Sequence, residues 1–243
     1  SLDALRLFIT LSMHLHHEVT EADYTTAYLN AILRKLAFMK QPPGFEKVGP
    51  NGEKLVCKLL RALYGLVNSG LEWETTHHSA LKRLTWEQCS TEPCLFRRTF
   101  PCGTTAYLCT YVDNLFLSFP PSSPLRTEAL REINEEIGWV LNDLGQVKYS
   151  LGARVHQDLD SWTVTIDQEP SITALISRYF PDGIPPKLAK KMTVPIHDSI
   201  YSFEPSSPDS PEAVEWRPKC LSLGGSLNWI SIFTRPDISC ALS

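Results

Sequence analysis

The stretch from Thr104 to Phe119, TTAYLCTYVDNLFLSF, constrains the fold more than any other part of the chain. Two runs rich in aromatic and β-branched residues flank an Asp113-Asn114 step, the short-range signature of a hairpin closed by a tight primed turn. Alternation predicts Tyr107, Cys109, Tyr111 and Asp113 on one face of the first strand, with Ala106, Leu108, Thr110 and Val112 on the other. An acid at the tip of an apolar hairpin is costly to bury alone, so it calls for a cation, a donor or a metal. Asp-Asn is also good turn chemistry in its own right, and the hairpin alone assigns no role to it.

A second acid narrows the choice. Val19 to Tyr24 reads as a short strand that reaches Asp23, followed by a Thr-Thr-Ala-Tyr turn. If Asp23 and Asp113 meet at one edge of one sheet, they form an oxygen-lined site suited to a hard divalent cation such as Mg²⁺. Phosphoryl-transfer enzymes use such a pair to hold two metals astride an in-line displacement.

Around these acids the periodicities alternate between helix and strand. Leu5, Phe8, Ile9 and Met13 predict an amphipathic helix over 3–17, closed by His14, His16 and His17, whose placement suits the negative end of the helix dipole. Glu53 to Leu59 reads as a strand after a Gly- and Pro-punctuated loop (41–52). Ser69 to Glu72 reads as a capping box that opens a helix with Trp73, His77, Ala80, Leu81 and Leu84 on its buried stripe. His77 on that stripe reads as a satisfied core histidine.

Cys94 to Arg98 is expected to pair with the first strand of the hairpin. Ser123 and Pro124 start a further helix with Leu130, Ile133, Ile137 and Val140 inward. Val147 to Val155 and Trp162 to Ile166 are expected to form a second hairpin, Pro170 opens a short helix, and a last helix runs from about Pro218 to Phe233. The resulting order, β-α-β-β-α-β, predicts an α+β fold with an antiparallel sheet and helices on one face.

Composition sets wider bounds. The 243 residues are 43% hydrophobic, enough to bury a substantial core. No run of eighteen apolar residues and no basic leader with an apolar core occurs, so no membrane partner is expected. Seven cysteines without a CxxC pair suit reduced thiols and an intracellular location, cytoplasmic or nuclear. The net charge of −4 neither supports nor excludes nucleic acid, because small basic clusters (Arg97, Arg98, Lys187, Lys190, Lys191) offset acids crowded into 128–143.

Several motifs occur in a fixed order: Asp23-Tyr-Thr-Thr-Ala-Tyr-Leu-Asn30, Met39-Lys-Gln-Pro-Pro-Gly-Phe45, Leu63-Tyr-Gly-Leu66 with Ser69 and Trp73, Tyr111-Val-Asp-Asn114, Asp143-Leu-Gly145, Leu151-Gly152 and Thr234-Arg-Pro-Asp-Ile238. Each is weak alone. Together they resemble the reverse transcriptase domain of copia-type LTR retrotransposons, over nearly the whole chain.

The resemblance implies a polymerase palm over 1–180 that includes a primer-grip-like hairpin at 145–167. It also implies a Pro-rich connection at 181–214 and a C-terminal helix at 215–243 belonging to a partial thumb. The fingers are expected to be largely missing, and the chain to end before any ribonuclease H domain. The resemblance further implies RNA-directed DNA polymerase chemistry with two Mg²⁺ ions, or Mn²⁺, held by Asp23 and Asp113. Asn114 stands at the third catalytic position, and Tyr24, Tyr28, Asn68, Ser69 and Tyr111 are implied to contact substrate.

The implied partners are an RNA or DNA template with its primer, deoxynucleoside triphosphates and the rest of a Pol polyprotein. Two departures stand out: Asn114 where the family box resembles Tyr-Val-Asp-Asp, and Val67-Asn68 where Lys-Gln is expected. Three readings follow: a polymerase domain impaired at Asn114, a noncatalytic remnant that binds nucleic acid or protein, and a metal-free structural domain, which would require Asp23 and Asp113 to lie far apart.

Overall fold

The structure is a computed structural model that describes residues 2–185 and 207–242. It is an α+β fold with antiparallel sheets. Most of the expected Pro-rich connection, and with it Lys187, Lys190 and Lys191, lies outside the described residues. The chain divides into two compact units, one made of residues 1–147 and 158–163, the other of 148–157 and 164–243.

In chain order, the first unit begins with α1 (Leu2–His14), β1 (Glu18–Tyr24), α2 (Ala27–Asn30), β2 (Ile32–Lys40) and β3 (Val56–Arg61). It continues through α3 (Ser69–Arg83), β4 (Glu87–Gln88), β5 (Leu95–Thr99), β6 (Thr105–Tyr111), β7 (Asn114–Phe119), α4 (Pro124–Ile137) and β8 (Leu141–Gln146). A six-stranded sheet runs β4-β5-β6-β7-β1-β8, and β2 pairs with β3 in a separate two-stranded sheet. Within it β1, α3, β6, β7, α4 and β8 follow the expected β-α-β-β-α-β order, with β1 inserted between β7 and β8.

One core joins Ala22, Tyr24, Ala106, Leu108, Leu115 and Leu117 of the sheet to Trp73 and Leu81 of α3 and Ala129 and Ile133 of α4. Successive side chains of a strand point to opposite faces. Cys109 and Phe116, which alternate with these core residues, are buried as well. The buried Leu5, Phe8 and Ile9 of α1, which packs on β1 and β6, fall outside the α3–α4 core. Helices therefore cover both faces of the central strands, and the expectation of one covered face is corrected.

Other departures are local. β2 escaped the sequence reading because neither of its faces is fully buried, so no clean alternation marks it. The α3 capping box does not form: Asn68 is the N-cap, Ser69 donates its hydroxyl to the Leu63 carbonyl, and Glu72 pairs with Arg34. Helix α4 stops at Gly138, which takes the left-handed conformation, so Val140 is exposed rather than inward. The strand that completes the sheet is β8, not the expected Val147 to Val155. Asp143 thus leaves the acidic helix face for a strand, where Arg126 holds it through both terminal guanidinium nitrogens.

The second unit contains β9 (Tyr149–Ser150), β10 (Ala153–Asp158), β11 (Thr163–Asp167), α5 (Glu169–Tyr179), α6 (Pro211–Phe233) and α7 (Ser239–Leu242). The expected strand from Val147 to Val155 is broken at Leu151-Gly152, both at positive φ. A Cβ on Gly152 would come within 3.2 Å of the Trp229 indole nitrogen, which accounts for glycine there. Helix α6 starts at Pro211 rather than Pro218, because the Ser210 hydroxyl caps Ala213 and the helix absorbs Pro218 internally. No described helix is long and apolar enough to cross a membrane.

Candidate active site

The β6–β7 hairpin forms, one residue out of the expected step. Tyr111 pairs with Asn114, and Val112 and Asp113 make the turn. Val112 takes φ 55°, unusual for a β-branched residue and suited to a primed hairpin turn. Its backbone is braced from below, where the Trp73 indole N–H donates to the Val112 carbonyl.

Register brings the two acids together. Asp23 pairs with Asn114 across β1 and β7, and Asn114 pairs with Tyr111 across β7 and β6. Directly opposed residues in antiparallel strands share a face. Asp23, Asn114 and Tyr111 therefore form a row across three strands, with Asp113 at the adjoining turn. The Tyr24 N–H donates to the Asp113 carbonyl at 2.9 Å and ties the turn to the end of β1.

Burial and the neighbouring Asp113 charge both push the Asp23 carboxyl above its usual range. Among the described residues neither carboxylate has a hydrogen-bond or ion-pair partner. Two neighbouring acids without a counter-charge match the donor chemistry of a hard divalent cation. No set of three His, Cys, Asp or Glu side chains gathers as a metal site among the described residues. Asn114, which follows Asp113 and pairs with Asp23 across the strands, is a neutral amide.

Tyr28, on α2, meets Tyr64 with ring centroids 4.7 Å apart. Burial, Asp113 and Glu74 raise the Tyr28 phenol, and burial, Asp113, Tyr28 and Asp23 raise that of Tyr64. Both rings therefore stand near the acids. Tyr64 was legible only as part of the Leu63-Tyr-Gly motif; no local signal marked it as a partner of Tyr28.

The remaining expected contacts divide by burial. Tyr24 is 1% exposed, its ring faces the core, and its hydroxyl meets His77 Nε2 at 3.0 Å. Ser69 is also 1% exposed, with its hydroxyl committed to Leu63. The Ser69 side chain is thus not free to touch a substrate, which corrects that expectation, whereas burial of the Tyr24 ring bears on its side chain and not on its backbone carbonyl; Asn68 is exposed. His77 is the satisfied core histidine that was expected: it stacks on Trp73, and burial followed by the His78 charge lowers it to about 3.

An antiparallel sheet that presents paired acids at a hairpin turn defines the class to which the comparisons point. The chain belongs to the reverse transcriptase (RNA-dependent DNA polymerase) family, whose pattern matches residues 1–179. It is similar to the retrovirus-related Pol polyprotein from transposon TNT 1-94 of Nicotiana tabacum, at 27% identity over 98% of this chain and 17% of that polyprotein. It is similar at 27% identity to the putative transposon Ty5-1 protein of Saccharomyces cerevisiae, covering 91% of this chain and 67% of that one. It also resembles the Pol polyprotein from transposon RE1 of Arabidopsis thaliana, at 26% over 99% of this chain and 15% of that protein. The chain thus spans less than a fifth of the two plant polyproteins it matches, and the expected resemblance to a retrotransposon reverse transcriptase domain is borne out.

Proposed function

We propose that this domain carries out template-directed DNA synthesis, joining a deoxynucleoside triphosphate to a primer 3′ hydroxyl on an RNA or DNA template. The observation that carries the reading is the Asp23–Asp113 pair, two carboxylates without a partner among the described residues, close enough for the Asp113 charge to raise Asp23.

In this reading Asp23 and Asp113 hold the divalent ions, with the Tyr24 backbone carbonyl as a further oxygen. Bound Mg²⁺ or Mn²⁺, two ions by family resemblance, supplies charge neutralisation of the triphosphate and activation of the primer hydroxyl. Burial and the Asp113 charge raise the Asp23 carboxyl, and a bound cation would oppose that shift by favouring the charged form. Tyr28, held against Tyr64, walls the place of the sugar, and Asn68 borders the incoming nucleotide.

The six-stranded sheet serves as the polymerase palm. The unit made of 148–157 and 164–243 supplies primer-grip-like strands and part of a thumb. The remainder of a Pol polyprotein is the partner inside the cell.

Asn114 favours a second reading, a domain that keeps the nucleic-acid cleft but has lost catalysis. An amide offers one oxygen and no charge where a carboxylate offers two oxygens and a charge, and loss of even an outer partner of a metal site costs about 10- to 100-fold. Primer extension on a primed RNA template with Mg²⁺ or Mn²⁺ tests both readings. Weak synthesis by the native chain, raised about 10-fold or more by Asn114→Asp, supports the polymerase reading. Inertness of both proteins, with folding intact, supports the remnant.

A further inference from the structure

The β2–β3 hairpin carries a charge imbalance that the rest of the chain does not share. Residues 31–61 hold seven basic and two acidic residues, in a chain whose net charge is −4. Lys35, Lys40, Lys47, Lys54 and Lys58 are all exposed, and among the described residues none of these ammonium groups has an ion-pair partner. The two acids are engaged by the loop itself, Glu46 accepting from the Gly44 N–H at 2.7 Å and Glu53 from the Asn51 N–H at 3.0 Å. By contrast Arg97 and Arg98, the basic cluster legible in sequence, are paired with Glu87 and Glu132.

Register then sorts the hairpin into two unlike faces. Phe38 stands opposite Lys58, and Lys40 opposite Val56. With Leu60, two residues beyond Lys58, these side chains share one face, where Phe38 is 56% exposed and Val56 58%. The alternate residues Ala37, Met39, Cys57 and Leu59 are half-buried. One face of the hairpin is thus a flat ring flanked by two cations, with apolar side chains beside them and open to solvent.

The hairpin is fixed to the acid site at its neck. Ala62 donates its N–H to the Ala31 carbonyl at 2.9 Å, and Tyr28 and Tyr64, which meet there, flank the two strands in sequence. At about 3.3 Å per residue the nine-residue β2 extends on the order of 25 Å from that neck.

We propose that the exposed face of this hairpin binds single-stranded nucleic acid, with a base stacked on Phe38 and the backbone phosphates beside Lys40 and Lys58. A stacking ring between cations is the arrangement by which proteins hold an unpaired strand without regard to sequence. The inference rests on the polymerase reading for the identity of the ligand, but binding itself needs neither metal nor nucleotide.

The test is fluorescence anisotropy of a fluorescein-labelled oligothymidylate with the full chain in EDTA, across a series of salt concentrations. Phe38→Ala is expected to weaken binding about tenfold. The double variant Lys40→Ala, Lys58→Ala should lower the slope of log affinity against log salt by about 1.4, near 0.7 for each cation lost. Lys219→Ala, which removes a lysine paired with Glu215, should leave that slope unchanged. All these side chains are exposed, and circular dichroism checks that folding is retained.

Unchanged affinity in Phe38→Ala, an unchanged slope in the double variant, or an equal slope change in Lys219→Ala would overturn the proposal. So would competition by duplex DNA as effective as that by the single strand. A chain that binds the oligonucleotide as expected but extends no primer keeps this inference and removes the catalytic reading. Vigorous primer extension with Phe38→Ala binding normally does the reverse.

Discussion

Trp73 donates its indole N–H to the carbonyl of Val112, the residue that precedes Asp113. A side chain of helix α3 thereby sets the turn that carries one of the two acids. Trp73→Phe keeps an aromatic ring but removes the indole N–H and some buried volume, and the lost donor alone costs about 1–3 kcal/mol. Thermal unfolding should report a drop in Tm of roughly 2–4 °C per kcal/mol lost. In any variant with measurable synthesis, kcat should fall by up to about 100-fold, because small displacements of a reacting group are that costly. A full loss of stability with kcat unchanged would separate Trp73 from the placement of Asp113.

Asp23 should make the domain less stable as it ionises. Its carboxyl lies above the ordinary 3.8 because burial and Asp113 disfavour the charge. The folded state therefore binds the proton more tightly than the unfolded state, and stability falls as pH rises from 3.8 through the raised value. Asp23→Asn should have the higher Tm at neutral pH and the same Tm as the native chain at pH below that window, measured without divalent metal. Added Mg²⁺ should raise the Tm of the native chain and not that of the variant.

Asp143 should behave in the opposite sense. The Arg126 guanidinium and the Gly145 N–H hold its carboxyl below the usual range, against an opposing effect of burial. Its contribution is present above pH 3.8 and is lost as pH falls through the depressed value. Asp143→Ala should cost about 1 kcal/mol at neutral pH, solvent screening of this half-exposed pair included. The difference in Tm from the native chain should vanish in acid; a difference that persists there would place its origin in packing.

Tyr28 and Tyr64 should act together on sugar selection. Tyr28→Ala is expected to raise the ratio of ribonucleotide to deoxynucleotide incorporation about tenfold or more. Tyr64→Ala should give part of the same change by freeing the Tyr28 ring, and Tyr64→Phe should restore selection because the ring contact survives. A ratio that stays constant across all three variants would remove both residues from the sugar pocket.

The sequence by itself determined the elements whose residue types and spacing are locally distinctive. The spacing of Leu5, Phe8 and Ile9 and the Trp73–His77–Leu81 stripe repeat with the helical period, and the continuous aromatic, β-branched run from Thr104 to Phe119 marks strands buried on both faces. The order β-α-β-β-α-β followed from them, and the motif order around Asp23 and Asp113 named the family.

Only the tertiary structure decided how these pieces meet. Whether the turn falls at Val112-Asp113 or one residue later depends on which strand residues pair, and a slip of one residue would turn every side chain to the other face. Glu72 reads locally as a cap for Ser69, yet its carboxylate goes to Arg34 on β2, a partner distant in sequence. β2 itself was invisible because it is half-buried on one face and open on the other, with lysines among its apolar residues. The row of Asp23, Asn114 and Tyr111 exists because β1 inserts between β7 and β8, a non-local pairing that no window of sequence encodes.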